Sequence, residues 1–461
     1  MKKILIATAL IGSLVACKNE PKEQEKKETP ETALAPVSDE VLETAVIYEA
    51  NIRQYSEEGS FEAFTRDIPQ LRELGVKVIW LMPVYPISST KSKGSLGSYY
   101  AITDYTKVNP EFGTLEDFRK LVKTAHDNGI YVILDWVANH TGWDHVWVEE
   151  HPEYYTRDEE GNIIDPVNPE TGESWDWTDV ADLNYDNKDM RQEMIKDMLY
   201  WIEEEDIDGY RCDVAHQVPV DFWEDAAARL REVKPVFMLA EAEQPELLEN
   251  AFDMQYAWEG HHIMNEIAQG KMTVKDWDAY IAKNDSILEP DDIFMNFTSN
   301  HDENSWNGTV FERMGDAAAT FAAMTYVIPG MPLIYSGQEY DMDKRLLFFE
   351  KDTIIRKKGK FYPLYEKLGK LKNTGKALNG GKKAASYLRL DSSDNEKILA
   401  FAREKDGDRI VFIANLSDVP LEFTVEAEGD YTDYMSGDKI TLEPGTPCNY
   451  APWEYHILVG E

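Results

Sequence analysis

Eight short runs of apolar, β-forming residues follow one another along the central part of this chain, separated by helical stretches. Runs such as VKVIWLMP and IYVILDW are almost continuous in aliphatic and aromatic residues, which is typical of parallel strands buried on both faces. Between them, residues 61–74 and 115–128 place apolar side chains at the spacing of an amphipathic helix. This repeated alternation predicts an α/β fold, a (β/α)8 TIM barrel.

Two parts of the sequence depart from this alternation. Residues 140–187, between the third strand and the next helix, are rich in Trp, Asp, Asn, Gly and Pro and are too long for an ordinary loop. We expect them to form a small inserted subdomain over the rim of a barrel that spans residues 43–375. From residue 376 to 461, short alternating strands with turn residues between them predict a C-terminal antiparallel β-sandwich.

The N-terminal residues have the composition of a processing signal. Two lysines precede an apolar run at residues 4–15, which is too short for a permanent membrane span, and the sequence LVAC follows. This arrangement resembles a lipoprotein signal peptide of residues 1–16, with Cys17 as the lipid-modified first residue of the mature chain. An uncleaved or plain secretory signal is the alternative. Residues 17–42, rich in Lys, Glu and Pro, predict a disordered tether.

Charge limits the partners that this chain can have. The 461-residue chain carries a formal net charge of −39, which argues against nucleic acid or an anionic membrane surface as a binding partner. A lipid on Cys17 would still attach the protein to a membrane. We therefore expect a cell-envelope lipoprotein in the outer membrane, with exposure at the cell surface as a further option.

Four of the strand runs lead directly into polar segments: DWVANH (135–140), GYRCDVAH (209–216), MLAEAEQ (238–244) and TSNHD (298–302). Side chains that follow barrel strands gather at the carboxyl rim, where barrel enzymes carry their active sites. Three acids, Asp213, Glu241 and Asp302, come from three different segments. Two working carboxyl groups and a third supporting acid are the equipment needed to cleave a glycosidic bond.

Local chemistry predicts different environments for two of these acids. Arg211 precedes Asp213 by two residues, so both side chains face the same side of the strand. We expect the guanidinium to lower the pKa of Asp213 and keep it ionised, as a nucleophile requires, although a purely structural Asp–Arg pair would have the same spacing. Glu241 ends the apolar run VFMLA, so partial desolvation is expected to favour its protonated form.

Taken together, these segments resemble the signature regions of glycoside hydrolase family 13, the α-amylase family. The first four regions correspond to DWVANH, GYRCDVAH, AEAEQ and NHD, and VADLNYDN (180–187) resembles a further region at the end of the insert. VKVIWLMPVYP and GMPLIYSGQE match the regions of the second and eighth strands. The seven matches keep the family order and extend from about residue 46 to the C-terminus.

The resemblance implies roles for the acids and several neighbours. Asp213 corresponds to the nucleophile that forms a covalent glycosyl-enzyme intermediate, Glu241 to the general acid and base, and Asp302 to the acid that binds sugar hydroxyls. Ala101 stands where the family usually has Asp, and His216 where relatives carry Lys or another residue, so the role of His216 is open. Substrate contacts are implied for Tyr100, His140, Arg211, His216 and His301.

The resemblance leaves a structural calcium ion open. Asn139 and Asp182 match positions that bind Ca2+ between barrel and insert in many relatives, and hard oxygen ligands suit that ion. Other relatives keep the motif without a metal, and Gln217 stands where relatives with the ion often have His. The sequence therefore leaves two expectations open: a calcium ion bound at Asn139 and Asp182, or the same motif without a metal. No organic cofactor is expected.

The expected activity is retaining hydrolysis of α-1,4-glucosidic bonds in starch- or glycogen-type α-glucans or in maltooligosaccharides. Two alternatives use the same acids: α-glucan transglycosylation and exo-acting α-glucosidase activity. A third, a non-catalytic glycan-binding lipoprotein, is disfavoured by the intact set Asp213, Glu241 and Asp302. The expected partners are an α-glucan or maltooligosaccharide substrate and a membrane reached through the lipid anchor, and no nucleic acid.

Overall fold

The computed structural model describes residues 34–168 and 171–460. The predicted signal peptide of residues 1–16, the predicted lipidation site Cys17 and residues 17–33 of the predicted tether lie outside the described residues. Within the described ranges, no helix is both long enough and apolar enough to cross a membrane.

Eight parallel strands close into a barrel, which confirms the predicted fold class. In chain order they are Ile47–Ala50, Val78–Leu81, Tyr131–Trp136, Gly209–Cys212, Phe237–Ala240, Met254–Tyr256, Phe294–Asn296 and Met331–Tyr335. Each strand pairs with the next one in the chain, and the eighth pairs with the first, with Ile47 opposite Leu333. The sixth strand, predicted near residues 251–255, is short and lies slightly later in the chain.

Helices connect the strands around the barrel. They are Ile52–Tyr55, Phe61–Thr65, Ile68–Glu73, Leu115–Asp127, Lys188–Glu203, Val220–Val233, Trp258–Ala268, Val274–Ile287, Val310–Met314, Ala318–Val327 and Phe361–Thr374. The helix predicted over residues 115–128 is present and begins with a capping box of Thr114 and Asp117. The single helix predicted over 61–74 is instead two helices, because Pro69 lies in the first turn of the second one and lacks the N–H that a continuous helix requires.

The segment before the first strand covers the floor of the barrel. Helix Asp39–Thr44 buries Leu42, and Val37 is buried with it among inward side chains of the strands such as Ile47. The prediction that residues 34–42 belong to a disordered tether is therefore wrong. The sequence LAPVSDEVL at residues 34–42 is more apolar than the Lys- and Glu-rich stretch before it, and its Val37 and Leu42 pack against the barrel.

The insert after the third strand is small, and its two ends are joined. Its first residues, His140–Gly142, pair antiparallel with Val180–Asp182 near its end. A short helix, Val146–Glu150, lies between these two strands together with several turns. The predicted inserted subdomain is confirmed.

The C-terminal part is antiparallel β structure, as predicted. The larger sheet has six strands, which are Ser386–Arg389, Ile398–Lys405, Asp408–Asn415, Gly429–Asp433, Lys439–Leu442 and Tyr455–Gly460. The smaller sheet has two strands, Leu421–Phe423 and Cys448–Tyr450. Val411 and Tyr450, one from each sheet, belong to the same buried core. Phe401, also on the larger sheet, belongs to the core that the barrel helices share. Sequence reasoning misses the strands Gly429–Asp433, Lys439–Leu442 and Cys448–Tyr450, in each of which no more than two side chains are buried.

Candidate active site

The inward side chains of the barrel change character along the strands. Towards the floor they are apolar, for example Ile133 and Leu239, and two residues further on the same face carries Asp135 and Glu241. An open cavity of about 360 Å3 lies at this carboxyl rim. Its wall includes six of the residues predicted for the site: Tyr100, His140, Asp213, Glu241, His301 and Asp302.

A buried guanidinium organises the acids beneath the cavity. Arg211 Nη1 donates to Asp135 Oδ1 at 2.7 Å and to Asp213 Oδ1 at 2.9 Å. Its Nη2 lies 2.8 Å from Glu241 Oε2 but forms no well-directed hydrogen bond, so this contact is electrostatic. The expected pair of Arg211 and Asp213 is therefore present, but the cation is shared by three carboxyl groups.

The pKa of Asp213 differs from the expectation. Burial raises it well above its usual value; Arg211 lowers it, and the carboxyl groups of Glu241 and Asp135 raise it further. The sequence predicts an isolated pair of Arg211 and Asp213, whereas in the folded site Asp135 and Glu241 also contact this guanidinium. The prediction of a lowered pKa was therefore wrong, and the cluster binds a proton more readily than isolated carboxylates do.

Glu241 is fixed through one of its two oxygens. Its Oε2 accepts the backbone N–H of Val214 at 2.8 Å and also faces Arg211, which leaves Oε1 without either contact. Val214 has a φ of 37°, in the left-handed region that is rare for a β-branched residue and costs about 1–3 kcal/mol. The strained turn after the fourth strand therefore aims this N–H at Glu241.

Asp302 is the most accessible of the three acids, with 37% of its side chain exposed. Trp306 Nε1 donates to its Oδ1 at 3.2 Å, and His301 Nε2 lies 3.5 Å from its Oδ2. Trp306 belongs to a turn of π-helix, Glu303–Asn307, a distortion that is frequent at functional sites. This turn directly follows Asp302 and brings the indole back beside its carboxyl group.

Tyr100 and His301 form a stacked pair on the cavity wall. Their ring centroids lie 5.6 Å apart, with 19° between the planes. The Tyr100 hydroxyl lies 2.8 Å from His301 Nε2 and donates to Asp135 Oδ2 at 3.1 Å. On the other side of the imidazole, Nδ1 lies 2.5 Å from Oε1 of Glu49, on the first strand. Burial lowers the pKa of His301, but Asp302 and Glu49 outweigh it and raise the pKa to about 9.

The other two predicted histidines differ in position. His140 is buried at the start of the insert, packs edge-on against Trp177 with ring centroids 5.8 Å apart, and borders the cavity. Burial lowers its pKa to about 3, so the ring stays neutral and can both donate and accept a hydrogen bond. His216 is exposed on the short turn Ala215–Gln217 and does not border this cavity. The structure therefore does not bring His216 to the other predicted contacts.

Asn139 and Asp182 lie close together where the insert meets the barrel. Asp182 is the strand partner of His140, and burial raises its pKa to about 6. The Asn139 side chain contacts the ring of His140. In the part of the chain that the structure describes, no three His, Cys, Asp or Glu side chains gather as metal ligands would. Calcium prefers about six to eight oxygen ligands, so backbone carbonyls or waters would have to complete a site at Asn139 and Asp182, and calcium stays a prediction.

Sequence reasoning misses several residues of the site. Glu49 interrupts a buried apolar strand, and a charged residue in such a run is the signal that could have identified it. Lys93, in the loop after the second strand, borders the cavity and forms an ion pair with Asp179 of the insert at 3.0 Å. Trp306 and Phe348 add aromatic surface. No periodic pattern marks these loop residues, because their position depends on how distant loops meet.

Comparison with known proteins provides independent support for the family. The model of the α-amylase catalytic domain matches residues 47–408, and that of the maltogenic amylase C-terminal domain matches residues 388–457. The solved structure of a maltogenic α-amylase from Thermotoga neapolitana is 28% identical to this chain, with a TM-score of 0.83. That match covers 91% of this chain and 99% of the other.

Sequence relatives include an amylase and a transferase. An α-amylase of Haloarcula japonica is 26% identical over 411 residues, which is 86% of this chain and 59% of that protein. The chain thus spans less than two thirds of that relative. A 4-α-glucanotransferase of Thermotoga neapolitana is 28% identical over 318 residues, which is 62% of this chain and 68% of that protein. Because the catalytic-domain model matches most of the chain, including the whole barrel, this protein belongs to glycoside hydrolase family 13, the α-amylase family.

Proposed function

We propose that this protein is a retaining glycoside hydrolase that cleaves α-1,4-glucosidic bonds in starch- or glycogen-type α-glucans or in maltooligosaccharides. The observation that carries the proposal is the pair Asp213 and Glu241. The residues before them, Cys212 and Ala240, are strand partners, so the two acids leave neighbouring strands at the same height. Neighbouring strands lie about 4.8 Å apart, which suits the roughly 5–5.5 Å between the carboxyl groups of retaining enzymes better than the roughly 6.5–9.5 Å of inverting ones.

In the first step Asp213 attacks the anomeric carbon, and the glycosidic bond between that carbon and the bridging oxygen breaks. Arg211 binds Oδ1 of Asp213, so Oδ2 is the oxygen that forms the new bond to carbon. Glu241 gives its proton to the departing oxygen, which leaves as a hydroxyl of the shortened glucan. The product is a glycosyl ester of Asp213 with inverted anomeric configuration.

In the second step a water molecule attacks the same carbon and releases Asp213. Glu241, now a carboxylate, accepts a proton from this water and so regains the proton that it gave up. The second inversion restores the original α configuration, which is why the overall reaction is retaining.

The reaction requires Glu241 to carry a proton and Asp213 to be charged at the start. Arg211 donates a directed hydrogen bond to Asp213, which stabilises the charged form of that carboxyl group, whereas its contact with Glu241 is not well directed. The mechanism therefore needs the proton of the general acid on the oxygen of Glu241 that makes no such contact. This oxygen is Oε1, which contacts neither Arg211 nor the backbone N–H of Val214.

Three further side chains would bind the sugar under attack. The Tyr100 ring offers a flat apolar face at the cavity wall, as sugar rings require. Asp302 accepts hydrogen bonds from hydroxyl groups, and the neutral ring of His140 can donate one. These roles follow from position and chemistry around Asp213.

The test of the mechanism is the stereochemistry of the first product and the site of the covalent bond. Proton NMR during hydrolysis of maltotetraose should show the α anomer of the new reducing end before mutarotation. A fluorinated glucosyl fluoride that slows the second step should label Asp213, as peptide mass spectrometry can show. A β anomer as first product, or a label on another residue, would contradict the proposal.

A second candidate, exo-acting cleavage, is favoured by the loop after the second strand. Lys93 Nζ pairs with Asp179 Oδ1 at 3.0 Å and donates to the carbonyl of Asp176 at 2.7 Å, both on the insert. Further along this loop, the N–H of Leu96 donates to the carbonyl of Phe349 in the loop after the eighth strand. This loop thus contacts both the insert and the loop after the eighth strand at the cavity wall. A loop held in this way would limit how far a glucan extends on that side.

Product analysis on maltoheptaose separates the remaining activities. Internal cleavage gives a mixture of short products from the start, whereas cleavage from one end releases a single short product. Transglycosylation would add products longer than the substrate. Lys93→Ala should increase the share of internal cleavage if the loop restricts the cavity.

We also propose that the protein is a cell-envelope lipoprotein attached through a lipid on Cys17, in the outer membrane. The sequence LVAC after an apolar run supports this proposal. Wild-type protein should fractionate with outer membranes, and Cys17→Ser should not. Protease treatment of intact cells then tests exposure at the surface.

A further inference from the structure

Glu49 is a buried acid to which the proposed reaction gives no role. It lies on the first barrel strand, has no exposed surface and is flanked by apolar residues. Its Oε1 lies 2.5 Å from His301 Nδ1, and Oε2 has no hydrogen-bond partner in the described part of the chain. A buried carboxyl group is costly unless its charge is paired. Packing alone therefore does not explain why this position carries an acid and not an amide.

The hydrogen bonds around His301 fix where its protons lie. The Tyr100 hydroxyl has one proton and donates it to Asp135 Oδ2 at 3.1 Å, so it acts as an acceptor towards His301. His301 Nε2, 2.8 Å from that hydroxyl, must therefore carry a proton. Nδ1 lies 2.5 Å from Oε1 of Glu49, and because a charged carboxylate can only accept, Nδ1 carries a second proton when Glu49 is ionised. His301 is then an imidazolium.

Charged and titratable groups from five parts of the barrel face this ring. They are Glu49 from the first strand, Tyr100 from the loop after the second, Asp135 from the third, Arg211 from the fourth and Asp302 from the segment of His301 itself. Burial and Arg211 disfavour the imidazolium, and the carboxyl groups favour it. Asp302 and Glu49 contribute most to this effect, and Glu49 adds the shortest contact with the ring, at Nδ1.

We propose that Glu49 is a positioning residue: its carboxylate keeps His301 in the imidazolium form, with Nε2–H directed at the Tyr100 hydroxyl and towards Asp302. In this form the His301 side chain holds both the Tyr100 ring and the carboxyl group of Asp302, the two groups that would contact the sugar. The catalytic consequence rests on the proposed function, whereas the protonation state of His301 does not.

The test variant is Glu49→Gln, which keeps the shape of the side chain and removes its charge. The amide can donate to Nδ1 of a neutral imidazole, so the network stays connected while the cation is lost. Glu339→Gln is the matched control, because Glu339 is equally buried, accepts a hydrogen bond from Tyr48 and makes none with His301. Thermal unfolding of both variants shows whether they fold.

Activity is measured as kcat and KM on a chromogenic maltotrioside over a pH series that extends beyond pH 9. Wild type and Glu339→Gln should lose activity as pH rises through about 9, where His301 releases its proton. In Glu49→Gln, kcat should fall on the order of 10²-fold with little change in KM, and activity should decline near the ordinary histidine pKa of about 6.5. An unchanged kcat with an unchanged alkaline limb would overturn the proposal.

A second measurement does not depend on catalysis. In protein labelled with 15N-histidine, the His301 signals are those missing from His301→Gln. At a pH below the His301 pKa of about 9 and above the ordinary histidine range, both ring nitrogens should be protonated in wild type and only one in Glu49→Gln. A neutral His301 in wild type would overturn the inference even if glucan hydrolysis is confirmed. Imidazolium His301 in a protein that cleaves no glucan would overturn the proposed function instead.

Discussion

The floor and the rim of the barrel interior use the same strands for different purposes. Near the floor the inward side chains are apolar, Ile47 and Ile133 among them, and the segment before the first strand covers them. Two residues further along the same strands stand Glu49 and Asp135. The inward face keeps its period of two while its chemistry changes. Stability and reactivity are therefore separated along the length of the barrel, and substitutions at the two ends should have different effects.

The largest effect is expected at the rim, from Asp213→Asn. The variant removes the nucleophile and keeps the shape of the side chain, so kcat on maltotriose should fall by at least ~10⁴-fold. Its free energy of unfolding in urea should change by no more than about 1 kcal/mol, because two carboxyl groups, Asp135 and Glu241, still face Arg211.

The matched control for this variant is Glu243→Gln. Glu243 lies two residues after Glu241 but accepts a backbone N–H from Glu259 and does not border the cavity. It should keep the wild-type kcat. Wild-type activity in Asp213→Asn would remove Asp213 from the mechanism.

At the floor, Leu239→Ala should have the opposite profile. Leu239 is fully buried inside the barrel, two residues before Glu241 on the same inward face. The cavity left by the substitution should lower the free energy of unfolding by about 2–5 kcal/mol. The pH profile of kcat should stay that of wild type, because no titrating group is removed. A shifted pH profile in Leu239→Ala would show that a substitution at the floor changes the acids at the rim, and would contradict the separation of the two regions.

The free energy of unfolding should decrease at acidic pH because of His145, a buried histidine of the insert. Burial lowers the pKa of His145, just before the short insert helix, to about 3. Below its ordinary pKa of about 6.5 the unfolded chain binds this proton and the folded protein does not, so stability falls by up to about 1.4 kcal/mol per pH unit as pH decreases. Urea unfolding at several pH values should show this slope reduced in His145→Gln. An equal slope in both proteins would contradict the assignment.

The smallest effect is expected from Trp306→Ala. The indole is half exposed, borders the cavity and donates to Asp302. Loss of its stacking surface, worth about 0.5–1.5 kcal/mol, should raise KM by roughly 2- to 10-fold with no change in stability. Trp306→Phe keeps an aromatic ring without the N–H. If both variants weaken binding equally, the hydrogen bond to Asp302 matters more than the ring.

The fold could be predicted because it depends on repeated patterns. Eight apolar runs with helices between them admit few other arrangements, and alternating short strands indicate the C-terminal domain. The failures are local: Pro69 divides a helix whose apolar spacing continues across it, and the apolar residues of 34–42 pack against the barrel although a Lys- and Glu-rich stretch precedes them.

The acids of the site could also be predicted, because the ends of parallel barrel strands meet at one rim. The pKa of Asp213 could not, since it depends on how many carboxyl groups share one guanidinium. Spacing along the chain shows that Arg211 faces Asp213 but not that Asp135 and Glu241 face it too. Lys93 and Trp306 are loop residues, and their positions depend on tertiary contacts.

The shared guanidinium has a consequence for inhibitors. Five carboxyl groups lie around two cations at this rim: Glu49, Asp135, Asp213, Glu241 and Asp302 around Arg211 and His301. A sugar mimic with a protonated ring nitrogen would supply positive charge that the site lacks. Such an amine should bind more tightly than the neutral sugar of the same shape and should release a proton from the acids on binding. Calorimetry in buffers of different ionisation enthalpy would count that proton.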